Sequence, residues 1–335
     1  MSRRRGARIL GLGIESTAHT FGAALMDSEG EVLADCREVY RAPAGSGIHP
    51  REASRHHAEV APAVLKECFG RAGLAAADLD FIAYSAGPGL GPCLRVGAVV
   101  ARSLSSFYRK PLVPVNHAVG HLELGSLLCD MSSPVCLLVS GGHTAVVVPA
   151  GGRWRIFGET LDITVGQLLD QFGRFIGLGS PCGPAIEKMA LKGRHLVDLP
   201  YVVKGNDVSF SGLLTAAKNQ VGGHANEDLA YSIQEHAYAM LCEVSERALA
   251  FSEKKELLIV GGVSANRRLM EMVGTVALRQ GARSAGCPPA FSGDCGAQIA
   301  WAGLEHFQAG LSVRPVSGFV RQSWRLDTVG VPWRD

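Results

Sequence analysis

The sequence predicts an α/β fold built from two lobes of similar design, with a cleft between them. Apolar strand-like runs alternate with amphipathic helical stretches along the chain, which is typical of α/β proteins. A pattern of strand, small-residue turn, His-Thr and strand also occurs in each half, at Ser16–Phe21 and at Gly141–Ala145. An internal duplication of a three-stranded α/β unit would place these two turns on opposite sides of a cleft.

The composition indicates a folded protein with room for two cores. The chain has 335 residues, of which 47% are hydrophobic and 41 are glycine, so neither a disordered tail nor a single small domain is expected. The net charge is only +2, which does not indicate a protein that grips nucleic acid mainly by charge. We interpret the basic start, Arg3, Arg4, Arg5 and Arg8, as a solvated terminus.

The cysteines and the hydropathy pattern favour a cytoplasmic protein. The nine cysteines include no C-x-x-C pair and their number is odd, which argues against a disulfide framework and against a zinc ribbon. No apolar run approaches membrane-spanning length, and no signal-peptide pattern follows the basic start. We therefore expect the cytoplasm, and also the nucleus if the source is a eukaryote, with no membrane partner.

The first half is predicted to open with three antiparallel strands. These cover residues 7–14, 21–26 and 32–39, with Glu15–Thr17 and Asp27–Gly30 as the turns between them. Small and hydroxyl residues around the first turn suit a backbone that approaches an anionic group. An ordinary polar hairpin turn explains the same residues equally well.

An amphipathic helix is predicted from Pro50 to about Gly73, because a proline at its start and a glycine at its end delimit apolar positions at helical spacing. Those positions are Val60, Val64, Leu65, Cys68 and Phe69. His49, His56 and His57 are further metal or phosphate candidates near its start. We favour the interpretation that they are polar positions facing a cleft or solvent.

A glycine-rich loop, Gly87–Pro92, lies between a strand predicted at 80–85 and a helix predicted at 94–108. Such a loop lets main-chain amides point at a ligand. It matches neither the P-loop, whose lysine is missing, nor the G-x-G-x-x-G pattern.

Two histidines follow the next predicted strand, 111–116. His117 and His121 are four residues apart, so on a helix they share one face and can reach a single metal ion. They would lie at the carboxyl end of a strand, where open α/β sheets bind ligands. The spacing alone is weak evidence for a metal. Zinc proteases also need a glutamate directly after the first histidine, and this chain has Ala118 there.

The second half is predicted to repeat the order of the first. Strands are expected at 134–139, 145–148 and 155–159, with the tight turn Ser140–Thr144 after the first of them. Helices are expected at 164–176, at 185–192 after the loop 179–184, from 209 onward, and from Leu229 to Ala248, with an irregular stretch at 193–207.

Two polar residues close the list of candidates that the residue pattern provides. A buried strand, 257–260, ends in Gly261–Asn266, where two glycines allow a flat base to lie against the backbone and Asn266 can hydrogen-bond a sugar or base. Asp294 lies at or near the start of the last helix. A capping role there is worth roughly 1 kcal/mol.

Duplicated turns that face a cleft are the design of the actin-like and sugar-kinase-like (ASKHA) ATPase fold, with two ribonuclease-H-like lobes. We expect residues 1–131 to form the first lobe, completed by the C-terminal region 300–335, and residues 132–299 to form the second lobe. A likeness of fold does not by itself determine the chemistry.

Nine motifs together resemble the universal tRNA threonylcarbamoyladenosine transferase family, from Gly6 to Asp335. They are Gly13–Thr17, Pro50–His57, Gly87–Leu90, Asn116–His121, Val139–Thr144, Gly158–Asp162, Ile186–Lys188, Ser209–Gly212 and Gly261–Asn266. Val203–Gly212 is similar to the archaeal and eukaryotic branch, the catalytic subunit of the KEOPS complex. The family's older label, O-sialoglycoprotein endopeptidase or glycoprotease, is disfavoured by Ala118.

The resemblance implies transfer of a threonylcarbamoyl group from threonylcarbamoyl-AMP to the N6 amine of the adenosine 3′ of the anticodon, in tRNAs that read ANN codons. It also implies one divalent metal ion per subunit on His117, His121 and Asp294. Three protein ligands with an open position are typical of a catalytic metal. Imidazole ligands favour Fe²⁺ or Zn²⁺ over Mg²⁺, and the ion would act as a Lewis acid.

The same resemblance assigns residues to the substrate. Leu138, Val139, Ser140, Gly141 and Gly142 would line the phosphate side, and Asp170, Gly183, Glu187 and Asn266 would hold the adenosine part. Glu15, Ser16 and His143 are possible phosphate-facing residues.

Four positions depart from the pattern of the archaeal and eukaryotic branch. Leu138 replaces a tyrosine that is an extra metal ligand there, and His143 replaces an asparagine; both choices are similar to the bacterial branch. Cys295 replaces an asparagine and Gln171 a basic residue. We interpret these as changes in metal tuning, with His143 or water as any further ligand.

The resemblance implies partners besides tRNA: a small kinase or ATPase-like subunit, a dimerising subunit on the first lobe, and a tRNA-binding subunit. Two alternatives remain open, an actin-like ATPase or small-molecule kinase, and a catalytically impaired nucleotide-binding scaffold. A kinase needs a catalytic aspartate beside the transferred phosphate. Neither turn supplies one, although Glu15 occupies a comparable place.

Overall fold

The computed structural model describes residues 8–43, 47–179 and 181–334. Its strands are β1 (Leu10–Glu15), β2 (Thr20–Asp27), β3 (Val32–Val39), β4 (Phe81–Gly87), β5 (Leu112–Asn116), β6 (Val135–Val139), β7 (Thr144–Pro149), β8 (Trp154–Glu159), β9 (Val203–Lys204), β10 (Asp207–Val208), β11 (Glu256–Val260) and β12 (Arg283–Gly286). The basic residues Arg3, Arg4 and Arg5, the predicted strand start at residue 7 and Ser180 of the loop 179–184 lie outside the described residues.

The helices connect and cover two sheets. They are α1 (Pro50–Ala72), α2 (Gly91–Tyr108), α3 (His117–Leu128), α4 (Val165–Phe175), α5 (Gly183–Ala190), α6 (Ser211–Asn219), α7 (Asn226–Ser252), α8 (Arg267–Arg279), α9 (Pro289–Ser292) and α10 (Gly296–Gln308). None of the helices in the described ranges is long and apolar enough to cross a membrane.

The two large sheets have the same topology, which confirms the predicted duplication. Their strand orders are β3-β2-β1-β4-β5 and β8-β7-β6-β11-β12. In each, the first three strands form an antiparallel meander, the fourth strand pairs parallel with the first, and the fifth pairs parallel with the fourth. Because parallel neighbours end at the same edge of a sheet, each lobe presents one edge at which ligand-binding loops collect.

The first long helix follows the sequence prediction closely. Pro50 is the first residue of α1, and Gly73 ends it with a positive φ of 65°, a conformation that glycine adopts without steric cost. Val64 and Cys68 are buried in the first-lobe core, and Val60, Leu65 and Phe69 pack beside them. The apolar spacing therefore identified the face of α1 that covers the first sheet.

Some predicted boundaries were wrong. Strand β1 extends through Glu15, so this residue is paired with Gly22 of β2 instead of lying in the turn. Helix α2 starts at Gly91, three residues before its prediction, and the stretch 193–207 contributes to the short β9–β10 hairpin. The glycine and proline at 91 and 92 obscured the start of α2, because a helix tolerates both in its first turn.

Helix α10 packs against the first sheet although it follows the second sheet in the chain. Two glycines permit this close approach. A Cβ atom on Gly13 of β1 would overlap the backbone of Ala300, and one on Gly296 would overlap the backbone of β2 at Ala23 and Ala24. The segment just before α10 is thereby carried to the edge of the first sheet where α3 begins.

Candidate metal centre

Three side chains from distant parts of the chain meet where α3 faces the start of α10. The ligand atoms of His117, His121 and Asp294 all lie within 4.8 Å of one another, and no other group of three or more potential ligands was found in the described residues. The Asp294 Oδ1 atom lies 3.5 Å from His117 Nε2 and 3.3 Å from His121 Nε2. The structure thus brings together the three residues that the sequence resemblance selects as metal ligands.

Strand β5 delivers the two histidines with no intervening loop. Asn116 ends β5 and caps α3, since its side-chain oxygen accepts hydrogen bonds from the Ala118 and Val119 amides at 3.0 and 3.2 Å. The cap fixes the first turn of the helix. His117 and His121 then lie one turn apart on the same face, with ring centroids 4.8 Å apart and ring planes nearly perpendicular.

Asp294 does not cap α10, which corrects the capping interpretation. The N-cap residue is Cys295, and the Ala297 amide instead donates to Asp35 on β3 at 3.1 Å. Arg37, also on β3, donates to the backbone carbonyl of Asp294 at 3.3 Å. Asp35 thus accepts from an amide at the start of α10, and Arg37 fixes the backbone of Asp294. The Asp294 carboxylate is therefore not used as a cap and faces the two histidines.

Glu15 orients His117. Its carboxylate lies 2.9 Å from His117 Nδ1, and it also accepts hydrogen bonds from the Thr17 amide at 2.6 Å and the Thr17 hydroxyl at 2.5 Å. Glu15 is completely buried. A carboxylate on Nδ1 makes that nitrogen the protonated one and leaves Nε2 free to bind a metal. The candidate role of Glu15 as a phosphate-facing residue is therefore corrected to that of a support for His117.

Gln298 is a part of the site that the sequence analysis missed. Its side-chain amide lies 3.0 Å from His117 Nδ1, and the side chain is completely buried. The Cys295 thiol donates to the side-chain oxygen Oε1 of Gln298 at 3.7 Å. One signal could have found it, since Gln298 follows Asp294 by four residues and lies in the first turn of α10.

Opposing effects set the charges in this cluster. Burial lowers the pKa of His117, but the carboxylates of Glu15 and Asp294 outweigh it and raise that pKa to about 9. For His121 burial prevails over Asp294, and the pKa is lowered. Burial raises the pKa of Asp294, but the two imidazoles outweigh it and hold the pKa well below its usual range. A divalent cation would need the lone pair of His117 Nε2 that the second imidazolium proton occupies, so metal and proton compete.

The donor set fits a zinc or iron ion. Tetrahedral ligands about 2.1 Å from a metal lie about 3.4 Å from one another, and the two distances between imidazole nitrogens and Asp294 Oδ1 are 3.5 and 3.3 Å. Two imidazoles and one carboxylate suit zinc or ferrous iron better than magnesium. The Glu15 contact supplies the hydrogen-bonded Nδ1 that metal-binding histidines need.

His143 lies beside the triad, whereas Leu138 is directed into the core. The His143 and His117 ring centroids are 6.5 Å apart, with ring planes 29° from parallel. Burial, with the nearby His117 and His121, lowers the pKa of His143 to about 4, so its ring is neutral at pH 7. Leu138 is completely buried in the apolar cluster that also contains Val119 and Leu122 of α3. Any extra contact from this wall of the site would therefore come from His143.

The loop after β6 is a tight turn with an exposed glycine backbone. The Ser140 hydroxyl accepts hydrogen bonds from the Gly142 and His143 amides at 3.2 and 3.0 Å. Gly141 and Gly142 are exposed, while the Val139 side chain is buried in the second-lobe core. The part of this segment that a phosphate could contact is therefore its backbone and not the side chains of Leu138 or Val139.

The residues that the resemblance assigns to adenosine lie around the starts of α5 and α8. Gly183 is the first residue of α5. Asp170 accepts a hydrogen bond from the Cys182 amide at 2.7 Å, and Glu187 accepts one from the Arg267 amide at 2.8 Å. These carboxylates hold the two helix starts in place and remain partly exposed.

The side chains of Asn266 and Ser16 are buried. Asn266 caps α8 through the Leu269 amide at 3.0 Å and donates to Gln234 at 2.7 Å. One N–H and one lone pair of its amide are thus used within the protein, and a second of each is left. The assignment of Asn266 to a sugar or base stays a prediction. The Ser16 side chain is completely buried against Gly97 of α2, so Ser16 does not face a phosphate.

His57 is fully buried on α1, next to Phe21, which corrects the expectation of a cleft or solvent position. Burial and the neighbouring His56 lower its pKa to about 4. His56 remains partly exposed, and His49 is exposed just before the helix. None of the three belongs to the metal group.

The buried His57 predicts a loss of stability in mild acid. Its pKa is about 4 in the fold, where His56, His19 and Glu15 also act on it, and about 6.5 in the unfolded chain. The unfolded chain therefore binds more protons as the pH falls from 6.5 to 4. By linkage, His57 removes about 2 kcal/mol of folding free energy by pH 5.

Urea unfolding of wild type and His57→Leu at pH 7 and pH 5 tests this prediction. The wild type should lose more stability between the two pH values than the variant does, by about 2 kcal/mol. An identical loss in both proteins would contradict the assignment of this pH dependence to His57.

Comparison with known families supports the interpretation of these motifs. The TsaD family model, described as tRNA N6-adenosine threonylcarbamoyltransferase, matches residues 31–301. A relative of that name from Ignicoccus hospitalis is 49% identical over 326 residues, covering 96% of this chain and 99% of the relative. One from Caldivirga maquilingensis is 48% identical over 323 residues, covering 96% of this chain and 97% of the relative.

Solved structures of other proteins share the fold. The HypF protein of T. kodakarensis superposes with a TM-score of 0.63 at 13% identity, over 91% of this chain and 48% of HypF. The activator of 2-hydroxyisocaproyl-CoA dehydratase from Clostridium difficile, with bound ADPNP, gives a TM-score of 0.55 at 11% identity, over 91% of this chain and 97% of the activator. This likeness confirms the predicted actin-like fold and carries no further argument about chemistry.

Proposed function

The chain belongs to the tRNA N6-adenosine threonylcarbamoyltransferase family, and we propose that its transfer reaction depends on a divalent metal held by His117, His121 and Asp294. The family acts on tRNA and the chain is a transferase. The observation that carries the metal proposal is the convergence of two imidazoles and a carboxylate on one point, with Glu15 on the far nitrogen of His117.

The protein's own groups have separate tasks in this proposal. Glu15 keeps the His117 proton on Nδ1, and Arg37 holds the backbone that presents Asp294. When bound, the metal would act as a Lewis acid toward an oxygen of the donor substrate. Because Gly141 and Gly142 are exposed and have no side chains, the donor can contact their backbone directly. His143, neutral at pH 7, offers a hydrogen bond beside the triad.

The donor that best fits this arrangement is threonylcarbamoyl-AMP. Its phosphate would lie along the turn after β6 and its adenosine toward the starts of α5 and α8, where Gly183, Asp170 and Glu187 are located. The acceptor is the N6 amine of the adenosine 3′ of the anticodon.

We further propose KEOPS-type partner subunits and a cytoplasmic setting. Val99 and Phe107 on the outer face of α2 are 58% and 79% exposed, an apolar surface suited to a dimerising subunit on the first lobe. A net charge of +2 is compatible with a catalytic subunit that leaves part of the tRNA contact to others. Nine unpaired cysteines suit a reducing compartment.

The kinase alternative loses its main candidate residue. Glu15 is the acidic residue nearest to the first turn, and its carboxylate is occupied by His117 and Thr17. The turn between β6 and β7 contains no acidic residue. A carboxylate that activates a phosphoryl acceptor is thus missing from both turns.

Nucleoside mass spectrometry tests the proposal. The chain is incubated with tRNA, its partner subunits, threonine, bicarbonate, ATP and the enzyme that makes the adenylate. Threonylcarbamoyladenosine should form with the metal-loaded protein and disappear after chelation. Fe²⁺ or Zn²⁺ should restore it and Mg²⁺ should not. Unchanged activity in the chelated protein would overturn the metal mechanism, and no product with any metal would overturn the assigned reaction.

A further inference from the structure

The C-terminal segment, residues 319–334, contacts the histidine helix at two points. At the start of α3, the Asn116 side-chain amide donates to the Trp324 carbonyl at 3.1 Å. In the middle of α3, Arg334 donates to Glu123 Oε2 at 2.6 and 3.0 Å and to Glu123 Oε1 at 3.2 Å. These contacts lie just before His117 and two residues after His121, so they bracket the metal-binding turn of the helix.

The contact between Arg334 and Glu123 is a buried ion pair, and each of the two side chains makes further polar contacts. The side chains of Glu123 and Arg334 are 2% and 9% exposed. The Trp154 indole donates to Glu123 at 2.8 Å, and the Arg334 guanidinium lies 5.1 Å from the Trp154 ring centre. Arg334 also donates to the Ser132 carbonyl at 2.6 Å. Removing one member of such a pair leaves a buried charge without compensation.

The pair lies on the opposite side of α3 from the metal. Successive helical residues are about 100° apart, so Glu123 points about 160° away from His121. Every residue from His117 to Ser126 is buried. The polar contacts that side chains of α3 make outside the helix are directional, and they come from His117 and His121 on one side and from Glu123 on the other.

The C-terminal segment is itself anchored on both lobes. The Arg321 amide donates to the Ala86 carbonyl of β4 at 2.6 Å, and the Val331 amide donates to the Gly152 carbonyl, between β7 and β8, at 2.7 Å. Leu326, Val329 and Val331 are buried in the apolar cluster that contains residues 118, 119 and 122 of α3. A segment fixed at both ends can hold α3 in one orientation.

We propose that Arg334 is a positioning residue for the metal centre: through Glu123 it fixes the rotation of α3, and so the direction in which the His117 and His121 nitrogens point. This inference rests on the metal centre proposed above. Residues outside the ligand set that orient the ligands typically change metal affinity 10–100-fold. Because Arg334 acts through one intermediate residue, we expect an effect of about 10-fold.

Cobalt binding measures this effect without the reaction. Metal-free full-length protein is titrated with Co²⁺ at 25 °C, and the visible d–d absorption reports both affinity and ligand geometry. Arg334→Met should bind Co²⁺ about 10-fold more weakly, with a shifted absorption band, at a temperature where circular dichroism shows it folded. Arg334→Lys, which keeps the charge, should recover part of the affinity even if the methionine variant folds poorly.

Arg325→Met is the matched control. Arg325 lies on the same segment but forms an exposed ion pair with Glu159 and Asp327 and none with α3. It should leave the affinity and the spectrum unchanged. Wild-type affinity and spectrum in both folded Arg334 variants would overturn the positioning role, whereas no Co²⁺ binding by the wild type would overturn the metal centre itself.

Discussion

Replacing His121 with alanine is expected to abolish stoichiometric metal binding and to lower the transfer rate at least about 100-fold. Two ligands, His117 and Asp294, would remain, and a catalytic site of this kind needs three protein ligands. Removing a direct ligand should cost more than the 10–100-fold typical of groups that only support ligands. Elemental analysis of the purified protein and nucleoside mass spectrometry of tRNA measure the two effects.

A histidine on another helix provides the control for this prediction. His236 on α7 is partly buried and its ring lies 2.8 Å from the Ser232 carbonyl, as a helical histidine without a metal commonly does. His236→Ala should therefore keep the metal and the activity. Wild-type metal content in His121→Ala would contradict the assignment of this residue as a ligand, and equal losses in both variants would indicate a general loss of structure.

Local patterns in the sequence were sufficient for most of the fold. Period-two and period-3.6 apolar spacing, with proline and glycine at element ends, located α1 and the strands of both meanders. The repeated His-Thr turns predicted the duplication that the two sheets show. The boundary at Glu15 was wrong because a glutamate after an apolar run usually marks a strand end, whereas burial against His117 makes Glu15 the last residue of β1.

The supports of the candidate site could not be predicted from local pattern. Glu15 meets His117 across 102 residues, Gln298 meets His117 across 181, and Arg37 meets Asp294 across 257. The sequence contains many carboxylate and amide side chains, and only the tertiary fold determines which of them faces a given histidine nitrogen. The ligands themselves were accessible because a helical spacing and a family resemblance selected them.

Leu138, where the resemblance implies a tyrosine ligand, is buried in the core. Its side chain packs in the apolar cluster of Val119 and Leu122, so it stabilises α3 by apolar contact and adds no metal ligand. The neutral His143 lies beside the triad, with its ring 6.5 Å from that of His117. The side chain of this segment that lies near the candidate ligands is therefore His143 and not Leu138.

Glu15→Ala is expected to weaken metal binding about 10–100-fold and to lower the transfer rate in parallel, although Glu15 is not one of the three proposed ligands. Without the carboxylate, His117 Nδ1 loses its hydrogen-bond acceptor, and the ring can place its proton on Nε2, the atom that faces the metal. Competitive metal titration with a chromophoric chelator measures the affinity, and the tRNA assay at saturating metal measures the residual rate.

The order of two Glu15 variants separates orientation from simple packing. In Glu15→Gln one amide oxygen must serve both His117 Nδ1 and the Thr17 donors, which contact different carboxylate oxygens of Glu15. We therefore expect an affinity between those of wild type and Glu15→Ala. Asp27→Ala is the matched control, since Asp27 is an equally buried carboxylate on β2 without contact to His117. Equal affinity in all four proteins would show that the Nδ1 contact does not control the metal.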